Sequence, residues 1–196
     1  MIRVIIGGVL AGAALFVWGY VSWVVLPWHE IPLRQTESEE LFLDAVNMYL
    51  PMSGWYVFPQ LSMKALHEET DAAKRDQMLN SWLERHKKGP IVQVFYRQQG
   101  ADPMSSEMYV KGVAASVGCG IAAAWLIALT LASQPNYARR VFTVVLAGVV
   151  AILMVDLPNW IYMYSPADFT VLMCLDHLIG SVIMGLVAGA VVRARK

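Results

Sequence analysis

Four long apolar stretches constrain this chain more than any other feature. Val4 to Leu26 runs without a charge, as does Gly112 to about Ala132, which is rich in alanine. Val141 to about Tyr162 contains one acid, Asp156, and Pro166 to Val192 contains Asp176 and His177. A helix needs about 20 mostly apolar residues to cross a hydrocarbon core, and each stretch reaches that length. The expected fold is therefore an all-α membrane protein with four transmembrane helices. Only 15% of the 196 residues are charged, against about 25% in ordinary soluble domains. Lys and Arg balance Asp and Glu at 15 each, which excludes a basic nucleic-acid binder. Two cysteines exclude a disulfide-stapled scaffold.

The first stretch is longer than the 7–15 residues of a signal-peptide core, and no A-x-A-like site follows it. Bulky Trp23, Leu26, Pro27 and Trp28 stand where small residues would be needed, so it reads as a retained anchor. Orientation follows from short basic loops. Arg3 precedes span one, Arg139 and Arg140 separate spans two and three, and Arg193, Arg195 and Lys196 follow span four. The turn from Met163 to Asp168 has no Lys or Arg. The positive-inside rule then places both termini in the cytoplasm and the long segment after span one outside. Trp23, Trp28, Tyr109, Trp160, Tyr162 and Tyr164 gather at the outer ends as an aromatic belt.

The division expected is residues 1–27 as helix 1, 28–109 as a small extracytoplasmic α/β insertion, and 110–196 as helices 2–4 with short loops. Within the insertion, Ile31 to Gln35 reads as an extended piece, Ser38 to Tyr49 as a helix, and Trp55 to Phe58 as a strand. Leu61 to Lys88 reads as one helix stopped by Gly89-Pro90, and Ile91 to Tyr96 as a strand. A core this small buries little surface, so the insertion is expected to lean on the outer ends of the spans.

The chemistry concentrates in spans three and four. Ser165-Pro166-Ala167-Asp168 fits a helix start with Ser165 as N-cap. Asp156 lies nine residues before Ser165 and Asp176 eleven after it, so their depths agree within about 3 Å at the helical rise. Two carboxyls at one level are expected to face each other, sharing a proton, or else to be compensated by His177. Pro158 and Asn159 suggest that Asp156 to Trp160 is either a broken helix end lining a polar cavity or the end of the helix at the interface. Asp156, Asp176, His177 and Asn159 thus form a candidate intramembrane polar site, whether it handles a proton or ligand or merely clasps helices.

Cys174 and His177 share a helical face, and Cys119 lies at comparable depth. Two cysteines do not define a metal pattern, and a small residue is wanted at 119 for packing, so neither a metal nor a cofactor is expected. His29, His67 and His86 are expected on solvated faces. No cluster of bases near a serine and no phosphate loop is legible, so no enzyme is expected. Gly8, Gly12, Gly185 and Gly189 form G-x-x-x-G pairs suited to close helix packing, either within the bundle or against another subunit.

Two functions are consistent with these residues. One is a non-catalytic accessory or assembly subunit of a larger membrane complex in a bacterial inner membrane, with residues 28–109 periplasmic or extracellular. The expected partners are then the lipid bilayer and other membrane subunits, and not nucleic acid. The other is a stand-alone binding or transport-related protein whose Asp/Asp/His site takes a proton, cation or small ligand.

Overall fold

The computed structural model describes residues 1–131 and 136–193. Two compact units make up the chain, one of residues 1–34 with 102–196 and one of residues 35–101. Ala132, the expected end of span two, and Arg195 and Lys196 lie outside the described residues.

The first unit contains four helices long and apolar enough to cross a membrane. These are α1 (Ile2–Tyr20), which continues into a π-helical turn at Val21–Val25, α5 (Ser106–Thr130), α6 (Tyr137–Met163) and α7 (Ala167–Val191). A 3-10 turn at Pro27–Glu30 follows the π turn. Helix α5 starts at Ser106, ahead of the apolar run, because the Ser105 side chain caps it by accepting from the Met108 N–H. Helix α6 does not break near its proline. It runs through Pro158 to Met163 and ends where Tyr164 adopts a left-handed conformation. The N–H groups of Tyr164 and Ser165 both close on the Asn159 carbonyl, which moves the start of α7 one residue on. Pro166, not Ser165, is therefore the N-cap, and no side chain caps that end.

Close approach between backbones organises the bundle. A side chain at Gly8 would meet the Ile121 Cα at 2.6 Å, and one at Gly12 would run into Val117. Gly120 faces both from α5, opposite the Gly8 carbonyl and Gly12 nitrogen. On the other side a side chain at Gly185 would meet the Val141 carbonyl at 3.0 Å, and Gly189 packs on Tyr137 and Arg140. Small residues allow this contact where lipid removes the hydrophobic drive between helices. Both G-x-x-x-G pairs are thus occupied within the chain. Helix α1 packs on α5 and α7, and α7 on α6, all antiparallel, whereas α5 and α6 touch little. Ala11, Ala124, Ile127, Val144 and Ala188 form the buried centre.

Arg140 is not a freely exposed orientation residue. It is buried, with Nε donating to the Gly189 carbonyl at 3.0 Å, and the Tyr137 hydroxyl donates to the Leu186 carbonyl at 3.0 Å. A cation at the C-terminal carbonyls of α7 complements the helix dipole.

In the second unit α2 (Glu39–Tyr49) is followed by strand β1 (Gly54–Phe58), α3 (Met63–Glu68), α4 (Ala72–Lys88) and strand β2 (Val92–Tyr96). The strands pair antiparallel, from Gly54 opposite Tyr96 to Phe58 opposite Val92. Leu61 to Lys88 is two helices, not one, because the Asp71 carboxylate accepts from the N–H groups of Ala73 and Lys74 and starts a new helix. Ile31 to Gln35 is not extended into a strand; the Leu33 N–H closes a turn on the Glu30 carbonyl.

Replacing Gly12 with Val should lower the detergent melting temperature of the purified protein, by an overpacking cost of about 1–3 kcal/mol. Gly19→Ala, where a Cβ meets nothing within 4 Å, should leave the melting temperature unchanged.

Candidate functional site

The end of α1 is shaped by a missing donor. The Leu26 N–H reaches back to the Val21 carbonyl at 2.9 Å, opening the helix into a π turn. Continuing that register would pair the next N–H with the Ser22 carbonyl, but residue 27 is proline and has none. The Trp28 indole fills the gap, donating to the Ser22 carbonyl at 2.9 Å and lying 3.2 Å from its hydroxyl. The same turn folds His29 back until its Nε2 is 2.9 Å from Ser22 Oγ.

Ser22 is the junction of the site. Its hydroxyl donates to Asp176 Oδ1 of α7 at 2.6 Å. A serine has one proton and two lone pairs. With the proton given to Asp176, the contact with His29 is satisfied by an Nε2–H that donates to Ser22. Ser22, His29 and Asp176 are all buried. His29 stacks on Trp23 with centroids 3.8 Å apart, while Trp28 meets both His29 and Trp18 edge-on. Beyond this corner, Arg34 pairs with Asp168 at 2.7 Å and ties the segment after the 3-10 turn to the start of α7.

Asp156 takes a different partner. Its Oδ2 lies 2.7 Å from Nδ1 of His177. Asp156 is buried, whereas the His177 side chain is 45% exposed. A carboxylate on Nδ1 takes the proton of that nitrogen and holds the ring's orientation, with Nε2 on its other side. Asp176 and His177 are consecutive on α7, yet one is bonded towards α1 and the other towards α6. The two acids therefore do not pair with each other; each has its own hydrogen-bond partner.

Asn159 is not part of this arrangement. Its side chain is exposed, and its contribution is the backbone carbonyl that closes α6. His29, expected on a solvated face, is buried in the site. His67 does sit on an exposed helix, bonded to the Met63 carbonyl. Cys119 is exposed on α5 and Cys174 is partly buried on α7. Among the described residues no three His, Cys, Asp or Glu side chains are placed to hold a metal ion.

A cavity of about 950 Å³ lies between α5 and α6, with α1 and α7 as its back wall. Asp176 and His177 line it beside Gly180 and Ser181, and the rest of the wall is mostly apolar, from Phe16 and Trp18 to Ala147 and Met184. That volume is at the upper end of the about 300–1,000 Å³ of small-molecule sites. Asp176 Oδ2 and His177 Nε2 have no hydrogen-bond partner among the described residues.

A serine with a histidine and an acid invites comparison with a nucleophilic triad, and sequence reading missed this cluster. The order differs. In a triad the histidine stands between serine and acid and takes the serine proton. Here the serine stands between them, gives its proton to the acid, and is wholly buried. The Asp156–His177 pair is a second, separate histidine–carboxylate contact on the other side of α7. Comparison with protein-family models, curated proteins and solved structures found no match.

Ser22→Ala strands a buried carboxylate and a buried imidazole together, and should destabilise by about 1–3 kcal/mol in detergent unfolding. Ser181→Ala removes only a bond to its own helix, at the His177 carbonyl, and should cost less than about 1 kcal/mol.

Proposed function

We propose that this chain is a membrane-embedded binding protein that holds a small ligand in the cavity between α5 and α6, against Asp176 and His177. The observation that carries this reading is the meeting of a large, mostly apolar cavity with two polar side chains, Asp176 and His177, each hydrogen-bonded to a buried partner. Ionisable residues within spans cost about 2.5–3.5 kcal/mol on insertion scales and characteristically face a pathway or water-filled space. A purely structural clasp needs no cavity beside it; here Asp176 and His177 both line one. The setting proposed is a bacterial inner membrane, with both termini cytoplasmic and the segment between α1 and α5 on the opposite side.

Extraction of the protein with its surrounding bilayer, followed by mass spectrometry of the organic extract, tests this. The expected result is one small molecule enriched over bulk lipid at about one per chain. It should be absent from Ala147→Phe, whose ring occupies the cavity. Identical extracts matching bulk lipid in both proteins would overturn the reading.

A second reading, an accessory or assembly subunit, is favoured by the unit of residues 35–101. Leu50 is its one buried residue, while Leu41, Phe42, Met48, Tyr49, Trp55 and Phe95 are exposed, Phe95 at 81%. Exposed apolar surface of this kind marks interaction sites. Native gel migration after mild extraction should show a large stable assembly on this reading, and a lone small particle would contradict it.

A further inference from the structure

We propose that the ligand is a single-chain amphiphile with a cationic, hydrogen-bond-donating head, such as a long-chain primary amine, which enters from the bilayer between α5 and α6. The inference rests on the binding reading above and adds the ligand's class and route.

The route follows from how the helices pack. Glycine contacts close α1 on α5 and α6 on α7, and α1 also packs on α7. The α5–α6 side has no such seam and little contact, so it is the side on which the cavity meets lipid. A ligand already dissolved in the bilayer reaches the site through that gap without crossing water.

The tail follows from the lining. From Asp176 to Met184 the α7 wall is about 12 Å deep at the helical rise. It is faced by Ala122, Ala123 and Leu126 of α5 and by Val144, Ala147 and Ala151 of α6. The alkyl chain lies along these small and aliphatic side chains, while the rings of Phe16, Trp18, Tyr20, Trp23 and Tyr109 line the rest of the wall.

The head follows from charge. Asp176 is the one acid in the lining, and Asp156 stands directly behind His177. No Lys or Arg among the described residues lines the cavity. The other titratable side chains of the lining are Tyr20, Tyr109 and Cys119, and His29 is bonded to Ser22 outside it. The Trp18 indole N–H is buried and is not presented to the cavity. The polar end of the lining is therefore Asp176 and His177, an acid with no Lys or Arg beside it. A primary ammonium supplies a hydrogen-bond donor and a compensating charge to the Asp176 carboxylate in a medium where a buried charge is costly. A carboxylate head would bring a second negative charge to the same place.

The test uses full-length protein in nanodiscs of phosphatidylcholine and three ligands sharing one tail: dodecylamine, dodecanol and dodecanoate. Saturable binding is read by tryptophan fluorescence and by thermal shift, with empty nanodiscs as control. Dodecylamine should bind at least tenfold more tightly than either of the others, and Asp176→Asn should remove that preference. Because wild-type protein alone decides the ranking, a poorly folding variant does not block the test. Equal or tighter binding of dodecanol or dodecanoate would overturn the head assignment while leaving the binding reading in place. Saturable binding of none of the three would overturn both.

Discussion

A carboxylate in an apolar helix bundle must find a partner, and the architecture of this protein follows from how two of them do so. Asp176 takes the proton of Ser22, and Asp156 takes the Nδ1 side of His177. The first bond ties the end of α1 to α7, and the second ties α6 to α7. Helix α7 is central because it contributes to both. Without these partners each acid would carry the cost of an uncompensated charge in a low-dielectric medium. The π turn, the proline after it and the tryptophan that replaces the missing donor are what bring Ser22 and His29 to Asp176.

The same economy explains the cavity. Helices α1 and α7 present their glycines to neighbours, so α5 and α6 are drawn onto them and not onto each other. With α5 and α6 splayed, the space between them stays open along the apolar faces, while the polar bonds at Asp156 and Asp176 hold its back wall. Packing and electrostatics thus act on different faces of the same helix.

Much of this fold was legible in the sequence because its periods are long and its breaks are sharp. The four apolar runs, the Gly8/Gly12 and Gly185/Gly189 pairs, and the depth match of Asp156 with Asp176 all lie within single helices or adjacent ones. The partners of those acids were not legible. Ser22 reads as one more small residue in a packing seam, and His29 as an interfacial residue. Only the π turn and Pro27 reverse the chain enough to join them, and the available signal was Trp28-His29 directly after Leu26-Pro27. Asn159 misled because its side chain suggested a polar site while its role is a backbone carbonyl. The Leu61–Lys88 run misled because the apolar stripe continues across Asp71, whose side chain caps a new helix.

The central claim is that the two acids within the apolar helices are bonded separately, one through Ser22 and one through His177. Double-mutant cycles on unfolding in detergent, over Ser22/Asp176, Asp156/His177 and Asp156/Asp176, measure this directly. Interhelical hydrogen bonds in membranes average about 0.6 and reach about 1.7 kcal/mol, so a coupling in that range is predicted for each of the first two pairs. The third pair should be additive. A strong coupling between Asp156 and Asp176, with none across Ser22, would contradict the account.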